Sequence, residues 1–291
     1  TDVASLLKDV LKESNVTSKE AVLSIPTSSS FIAPITFPRL SRKEIDQAVP
    51  YEARKYVPIP ASEVLLDWEV FDADEGKDSV DVLLVAVPRE IVEKFKRVAR
   101  LAGLNPRALE IEAFSLIRSL IGPDQTATAI LNLGHLTTTL AIADKGRLRV
   151  SHSFGRGSQE LSRALERGAG VSYERAESIK KEAGLSERIE EKETTSIISP
   201  LIETLFSGTE RMISIYNRKA PRKIQKINLT GGGSTLKGLI DYVSSKFGVE
   251  VTKGNPFSRV VTPAFMQPIL RDIGPGFSVA VGLALREITT R

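Results

Sequence analysis

The chain has 291 residues, 41% of them hydrophobic and 26% charged, with a formal net charge of +4 and no cysteine. That length and balance belong to a folded globular protein of one large or two ordinary domains, and they exclude a disordered or fibrous chain. Without cysteine there is no disulfide framework, Cys-based zinc site or thiol nucleophile, and no apolar run approaches the roughly 20 residues that cross a bilayer; a cytoplasmic protein is expected.

Val3, Leu6, Leu7, Val10 and Leu11 recur at helical spacing, so the chain is expected to open on an amphipathic helix. Because it begins at Thr1, directly in that helix, an upstream segment is expected to be missing. Residues 21–26 read as a short buried strand and 31–38 as an extended, proline-containing edge segment. Ser41 followed by Glu44 forms a capping box for a helix running to Val57, which Pro50 should kink or delay. Residues 64–71 and 80–87 form a hairpin around the polar turn 72–78, and helix 89–101 ends at Gly103. Helix, two strands and helix thus make an α+β subdomain. Three strands follow, 128–133, 138–142 and 148–153, close enough to be antiparallel neighbours. Helices at 158–167, 172–182 and 195–217 come next, with a solvated charged loop at 187–193. The densest basic stretch, Arg218-Lys219-Ala220-Pro221-Arg222-Lys223, reads as a solvated loop or as a place for anionic lipid or a partner. Elsewhere basic and acidic residues are interspersed, which gives nucleic-acid binding little support. A last apolar helix is expected over 277–288.

Two glycine turns carry the chemistry. In Ile227-Asn228-Leu229-Thr230-Gly231-Gly232-Gly233-Ser234 an apolar strand leads through three glycines towards an amphipathic helix. Such a turn bends the main chain sharply and lets a flat or charged ligand approach free N–H groups. A tight strand-to-helix turn without ligand has the same sequence. In Asn132-Leu133-Gly134-His135-Leu136-Thr137-Thr138-Thr139 a hairpin turn gathers Gly134 with three threonines, which suits either a phosphate cradle or a hydroxyl-rich β-turn. His135 there is a surface turn residue or a nucleotide contact, and His152, inside a strand, reads as structural.

The order of these features, with Ala176-Glu177-Ser178-Ile179-Lys180 between the two turns and Gly276-Phe277-Ser278-Val279-Ala280-Val281-Gly282 after them, resembles the actin-like ATPase superfamily. Pro38, Ser41 to Glu44, Tyr56-Val57-Pro58-Ile59-Pro60, Asp67-Trp68-Glu69-Val70, Ala102-Gly103-Leu104-Asn105-Pro106 and Asn255-Pro256-Phe257 sharpen this to a resemblance to the PilM family of type IV pilus assembly, with FtsA of cell division as a relative. The resemblance implies an α/β, actin-like (ribonuclease H-like) two-lobed fold. Residues 1–30 and 108–125 would belong to the first lobe, 31–107 to an inserted, partner-binding α+β subdomain, 126–275 to the second lobe, and 276–291 to a helix returning to the first.

By the same resemblance Gly134 and Thr137 would meet phosphate, Asn132 the metal shell of the bound nucleotide, Glu177 and Lys180 the nucleoside, and Gly231, Gly232, Gly233 and Ser234 the adenosine and inner phosphates of ATP with Mg²⁺. Glu112, within residues 108–116, would orient the attacking water, although a helix-start carboxylate favoured by the helix dipole explains it equally. Two departures stand out. The family's first phosphate loop, a strand hairpin with Asp-x-Gly and a lysine, is not found, so the N-terminal strands of the first lobe are expected to be missing. Asn132 occupies a position where the family usually has an aspartate, and an amide gives Mg²⁺ no negative charge. ATP binding with weak or absent hydrolysis is therefore the expectation, with no metal ligand assigned in the protein. The implied role is a cytoplasmic scaffold beside the inner membrane. It would dock the N-terminal peptide of a PilN-like membrane protein, meet other pilus platform proteins and reach the membrane only through them, with room for self-association. The alternatives are an adaptor that binds no nucleotide and an FtsA-like cell-division ATPase.

Overall fold

The computed structural model describes residues 2–71, 78–185, 188 and 191–286. It divides into two units, residues 1–112 and 113–291.

In the first unit α1 (Asp2–Glu13) leads to β1 (Glu20–Ile25) and β2 (Phe31–Pro38). The capping box at Ser41 and Glu44 then opens α2 (Arg42–Glu52), Ser41 accepting from the Glu44 amide and Glu44 from that of Ser41. Pro50 does not delay this helix. It removes one N–H donor, and the α-geometry ends two residues later in a 3-10 turn over Ala53–Lys55, short of the expected Val57. β3 (Val64–Val70) and β4 (Ser79–Pro88) are antiparallel as expected; most of the turn joining them lies outside the described residues. After α3 (Arg89–Leu101), β5 (Asn105–Ile111) pairs in parallel with β1.

The three-stranded sheet has the order β2-β4-β3. The central strand is apolar on both faces, with Val82, Leu83 and Leu84 all buried. β2 is an edge, where Pro34 can stand opposite Leu83 without owing the sheet a donor. Ile45 and Val49 of α2 close one face with Ile35, Phe37, Val64, Val80, Val82 and Leu84. Trp68 joins this core from its edge, and its Nε1 donates to Asp46 of α2 at 2.9 Å.

The second unit is built on a five-stranded mixed sheet. α4 (Glu112–Leu120) leads into the meander β6 (Thr128–Leu133), β7 (Thr138–Asp144) and β8 (Arg147–Phe154), antiparallel as the turn spacing requires. Next come α5 (Ser158–Ala169), α6 (Tyr173–Ala183) and the long α7 (Lys192–Lys219); the expected charged loop before α7 lies largely outside the described residues. β9 (Lys226–Thr230) pairs in parallel with β6, and β10 (Glu250–Lys253), which the residue pattern did not announce, extends the sheet beyond β9 after α8 (Leu239–Phe247). The order is β10-β9-β6-β7-β8. Leu131, Leu133, Leu140, Ile142, Ile227 and Leu229 form one core with Leu161, Leu165, Ile202, Phe206 and Leu239 from the helices. α9 (Gln267–Ile273), a 3-10 turn over Gly274–Phe277 and α10 (Ser278–Ala284) end the unit, so the last α-helix begins one residue later than expected; residues 287 and 288 lie outside the description.

Candidate functional site

Three chain segments converge at the ends of β6 and β9. In the turn after β6 the Gly134 amide donates to the Thr137 carbonyl at 2.9 Å, closing the loop. The carbonyls of Gly134 and His135 then accept from the Ser158 and Gln159 amides, each at 2.9 Å, and the Thr138 hydroxyl donates to the Arg156 carbonyl. The turn is thereby stapled to the start of α5. Two of that helix's unpaired N–H groups are satisfied by the protein itself.

The triple glycine follows β9, but it enters a 3-10 turn over Gly232–Thr235 rather than an α-helix; α8 starts only at Leu239. Gly231 has φ +82°, a region that disfavours side chains, and lies against Asn132 Oδ1 and the Leu133 carbonyl. Its amide donates to the Pro275 carbonyl, which also accepts from the Thr230 hydroxyl, itself bonded to Ser278 at 2.6 Å. These bonds bring Gly276 beside the glycine turn. Ser234 is buried, its hydroxyl turned inward to the Gly231 carbonyl at 2.7 Å.

The result is a cleft of about 380 Å³ lined by His135, Ser158, Leu161, Glu177, Lys180, Lys181, Gly232, Gly233, Thr235, Leu236 and Gly276. This volume falls in the range of small-molecule sites. A Cβ at Gly232 or Gly276 would meet no heavy atom within 4 Å beyond its chain neighbours, and neither residue has the left-handed φ of Gly231. Both positions leave open space on the cleft side. Among the described residues the amides of Gly232 and Gly233 donate to no protein acceptor.

One wall is a charged network on α6. Lys180, buried in the cleft wall, donates to Glu177 at 2.6 Å, to the Ser162 hydroxyl at 2.8 Å and to the Ser158 carbonyl at 3.3 Å, while Ser162 also donates to Glu177. Burial opposes ionisation of Glu177, but the bonds from Lys180 and Ser162 outweigh it and hold the carboxyl below its usual range. All three donors of the Lys180 ammonium are in use. A ligand would have to exchange one of them.

Of the expected site residues, the cleft brings together Glu177, Lys180, Gly232 and Gly233. Asn132, Gly134, Thr137, Gly231 and Ser234 stand behind it, shaping the two turns. Glu112 belongs to the other unit, where its carboxylate accepts from the Thr27 amide at 3.4 Å. Ser158, Leu161, Thr235 and Leu236 were not singled out by the sequence, while Gly276, which opens the last motif of the resemblance, also lines the cleft. Gly282 serves packing: α10 crosses α4 so closely that a side chain there would overlap the Ser115 carbonyl, and Arg118 donates to the Gly282 carbonyl at 2.7 Å. Among the described residues no group of three or more His, Asp or Glu could hold a metal ion.

Residues 1–288 match the family described as type IV pilus assembly protein PilM. The chain belongs to the PilM family. The PilM-family chain is also similar to the cell division protein FtsA of Enterococcus hirae, 24% identical over 193 residues, which cover 58% of this chain and 43% of that protein. FtsA of Agrobacterium fabrum is 23% identical over 231 residues, 71% of this chain and 51% of that protein. The chain thus spans about half the length of these curated relatives. Among solved structures, the PilM-PilN type IV pilus biogenesis complex superposes with a TM-score of 0.86 at 25% identity over 98% of this chain and 84% of that one. MreB5 of Spiroplasma citri bound to ADP gives 0.56 at 14% identity over 99% and 74%. The fold of this PilM-family chain is actin-like.

Proposed function

We propose that this chain is a nucleotide-binding scaffold of type IV pilus assembly, with ATP held in the cleft at Gly232 and a PilN-like N-terminal peptide docked on residues 31–107. The observation that carries the nucleotide is the open space above Gly232 and Gly276, beside amides with no protein acceptor. Gly232 and Gly233 would hold phosphate through the main chain. Glu177, kept ionised, is an acceptor suited to ribose hydroxyls, and Leu161 and Leu236 offer apolar surface to a base. The solved MreB5 relative is bound to ADP and the PilM relative is in complex with PilN, which supports both halves of the reading.

Glu177 is the cleft's one carboxylate and is tied to Lys180, so Mg²⁺ would be held mainly by phosphate and water. Hydrolysis would then be slow, with Glu112 as the candidate for orienting water. Actin-like lobes would correspond to residues 1–30 with 108–125 and to 126–275, and nucleotide would bias their relative arrangement and so the peptide site. A second reading, an adaptor without nucleotide, is favoured by Asn132 and by the saturated Lys180 ammonium.

Calorimetric titration of the full chain with ATP and Mg²⁺, with and without a PilN-type N-terminal peptide, separates the two. Saturable ATP binding coupled to peptide affinity is expected. Peptide binding with no nucleotide signal would establish the adaptor.

A further inference from the structure

The basic stretch at the end of α7 does not stand alone. Arg222 is drawn to Asp144 at the end of β7 and donates to the Gln125 carbonyl at 2.6 Å, folding the stretch onto the β7–β8 turn. Ile224 closes the same fold through its amide, which donates to Asn217 at 2.9 Å. Tyr216 is buried within electrostatic reach of Asp144, Arg149 and Arg222. The fold therefore sets Arg218, Lys219 and Lys223 beside the hairpin that carries Lys145, Arg147 and Arg149.

Residues 144–149 and 216–223 together hold seven Lys and Arg but a single acidic residue, Asp144, which pairs with Arg222. Arg218, Lys219 and Lys223 are exposed and, among the described residues, form no ion pair. The charge comes from a turn, the edge strand β8 and the end of a helix. The only aromatic residue in these stretches, Tyr216, is buried, so they offer no platform on which nucleic-acid bases could stack.

We propose that this region of the second unit is a docking surface for an anionic lipid bilayer, its lysines and arginines resting among acidic headgroups. Clusters of four to eight basic residues are the size that acidic membrane surfaces attract. The protein would then touch the membrane directly as well as through partners, a departure from what the family resemblance implies. The proposal is independent of nucleotide binding.

Co-sedimentation of the full chain with vesicles of phosphatidylcholine alone, or with about 30% phosphatidylglycerol, tests it. Binding is expected only to the anionic vesicles, lost at high salt, and weakened about a hundredfold by Arg218→Glu with Lys219→Glu and Lys223→Glu. Should that variant lose its circular dichroism spectrum, the neutral set Arg218→Gln, Lys219→Gln and Lys223→Gln is used, with a loss of about tenfold or more expected. Equal sedimentation with both vesicles, salt-insensitive binding, or an unchanged affinity in a folded variant would overturn the proposal. So would tighter binding of duplex DNA than of anionic vesicles.

Discussion

The residue that most separates ligand binding from architecture is Gly232. Its neighbour Gly231 is fixed by a positive φ and by contact with Asn132 and Leu133, so substitution there strains the turn whatever the ligand. At Gly232 a Cβ has space, so a ligand bound in the cleft is what an added side chain would meet. Gly232→Val is therefore expected to keep the unfolding midpoint and lose at least tenfold in ATP affinity by calorimetry; unchanged affinity in a folded variant rejects the site. Lys180 makes the opposite prediction. Removing it strands Glu177 and Ser162 without their shared cation, so Lys180→Met should cost about 2 kcal/mol of stability in urea titrations, with or without nucleotide. A cost near zero would mean that water replaces the network. At Asn132, an aspartate should raise Mg²⁺-dependent phosphate release if a missing negative charge limits turnover; an unchanged rate assigns the limit elsewhere.

At the scale of elements, the capping box of α2 shows how a local motif serves a tertiary purpose. Ser41 and Glu44 satisfy each other's backbone donors and fix the start of a helix whose Ile45 and Val49 close the three-stranded sheet. Bonds from the Ser41 hydroxyl and amide keep the Glu44 carboxyl below its usual range. Ser41→Ala should lower the stability of the first unit by about 1 kcal/mol, read as a shift in the unfolding transition followed through Trp68, whose indole donates to Asp46 of the same helix. An unshifted transition would show that packing alone holds α2. The elements of the cleft depend less on caps than on staples: Gly134 to Ser158, and Thr230 and Gly231 to Pro275, join segments far apart in the chain.

For the whole molecule, pH couples these local charges to folding. Asp124 is held far below its usual range, chiefly by its hydrogen bond from Lys226 and then by Thr126; Glu177 is held below its range as described above. Groups whose folded pKa is depressed add stability above their unfolded pKa and lose it as pH falls through the folded value. The second unit should therefore hold its stability down to about pH 5 and lose it progressively below about pH 4. Asp124→Asn should flatten that acid limb while lowering stability near neutrality. Thermal unfolding across this range checks it, and an identical acid limb in the variant would remove Asp124 from the account.

Much of this protein was determined by sequence alone, because local chemistry leaves little choice. Apolar strands around tight turns dictate the β6-β7-β8 meander, Ser41 and Glu44 dictate where α2 begins, and three glycines after Thr230 dictate a turn. Tertiary structure decided what those motifs are for. Only the pairing of β9 with β6 sets Gly232 near the Gly134 turn, and only the Pro275 carbonyl carries Gly276 there. β10 escaped notice because four half-buried residues ending in a lysine have no period of their own; their parallel partner makes them a strand. Ser234 looked like a ligand contact, yet its hydroxyl is turned inward by the 3-10 turn. The same holds for charge: Arg218 to Lys223 read as a solvated loop or as a contact for lipid or a partner, and only the fold, through Arg222 and Asp144, sets a second basic hairpin beside it. Spacing along a chain fixes which residues share a turn or a face, while neighbours distant in sequence are chosen by burial and hydrogen bonding that exist only once the chain has folded.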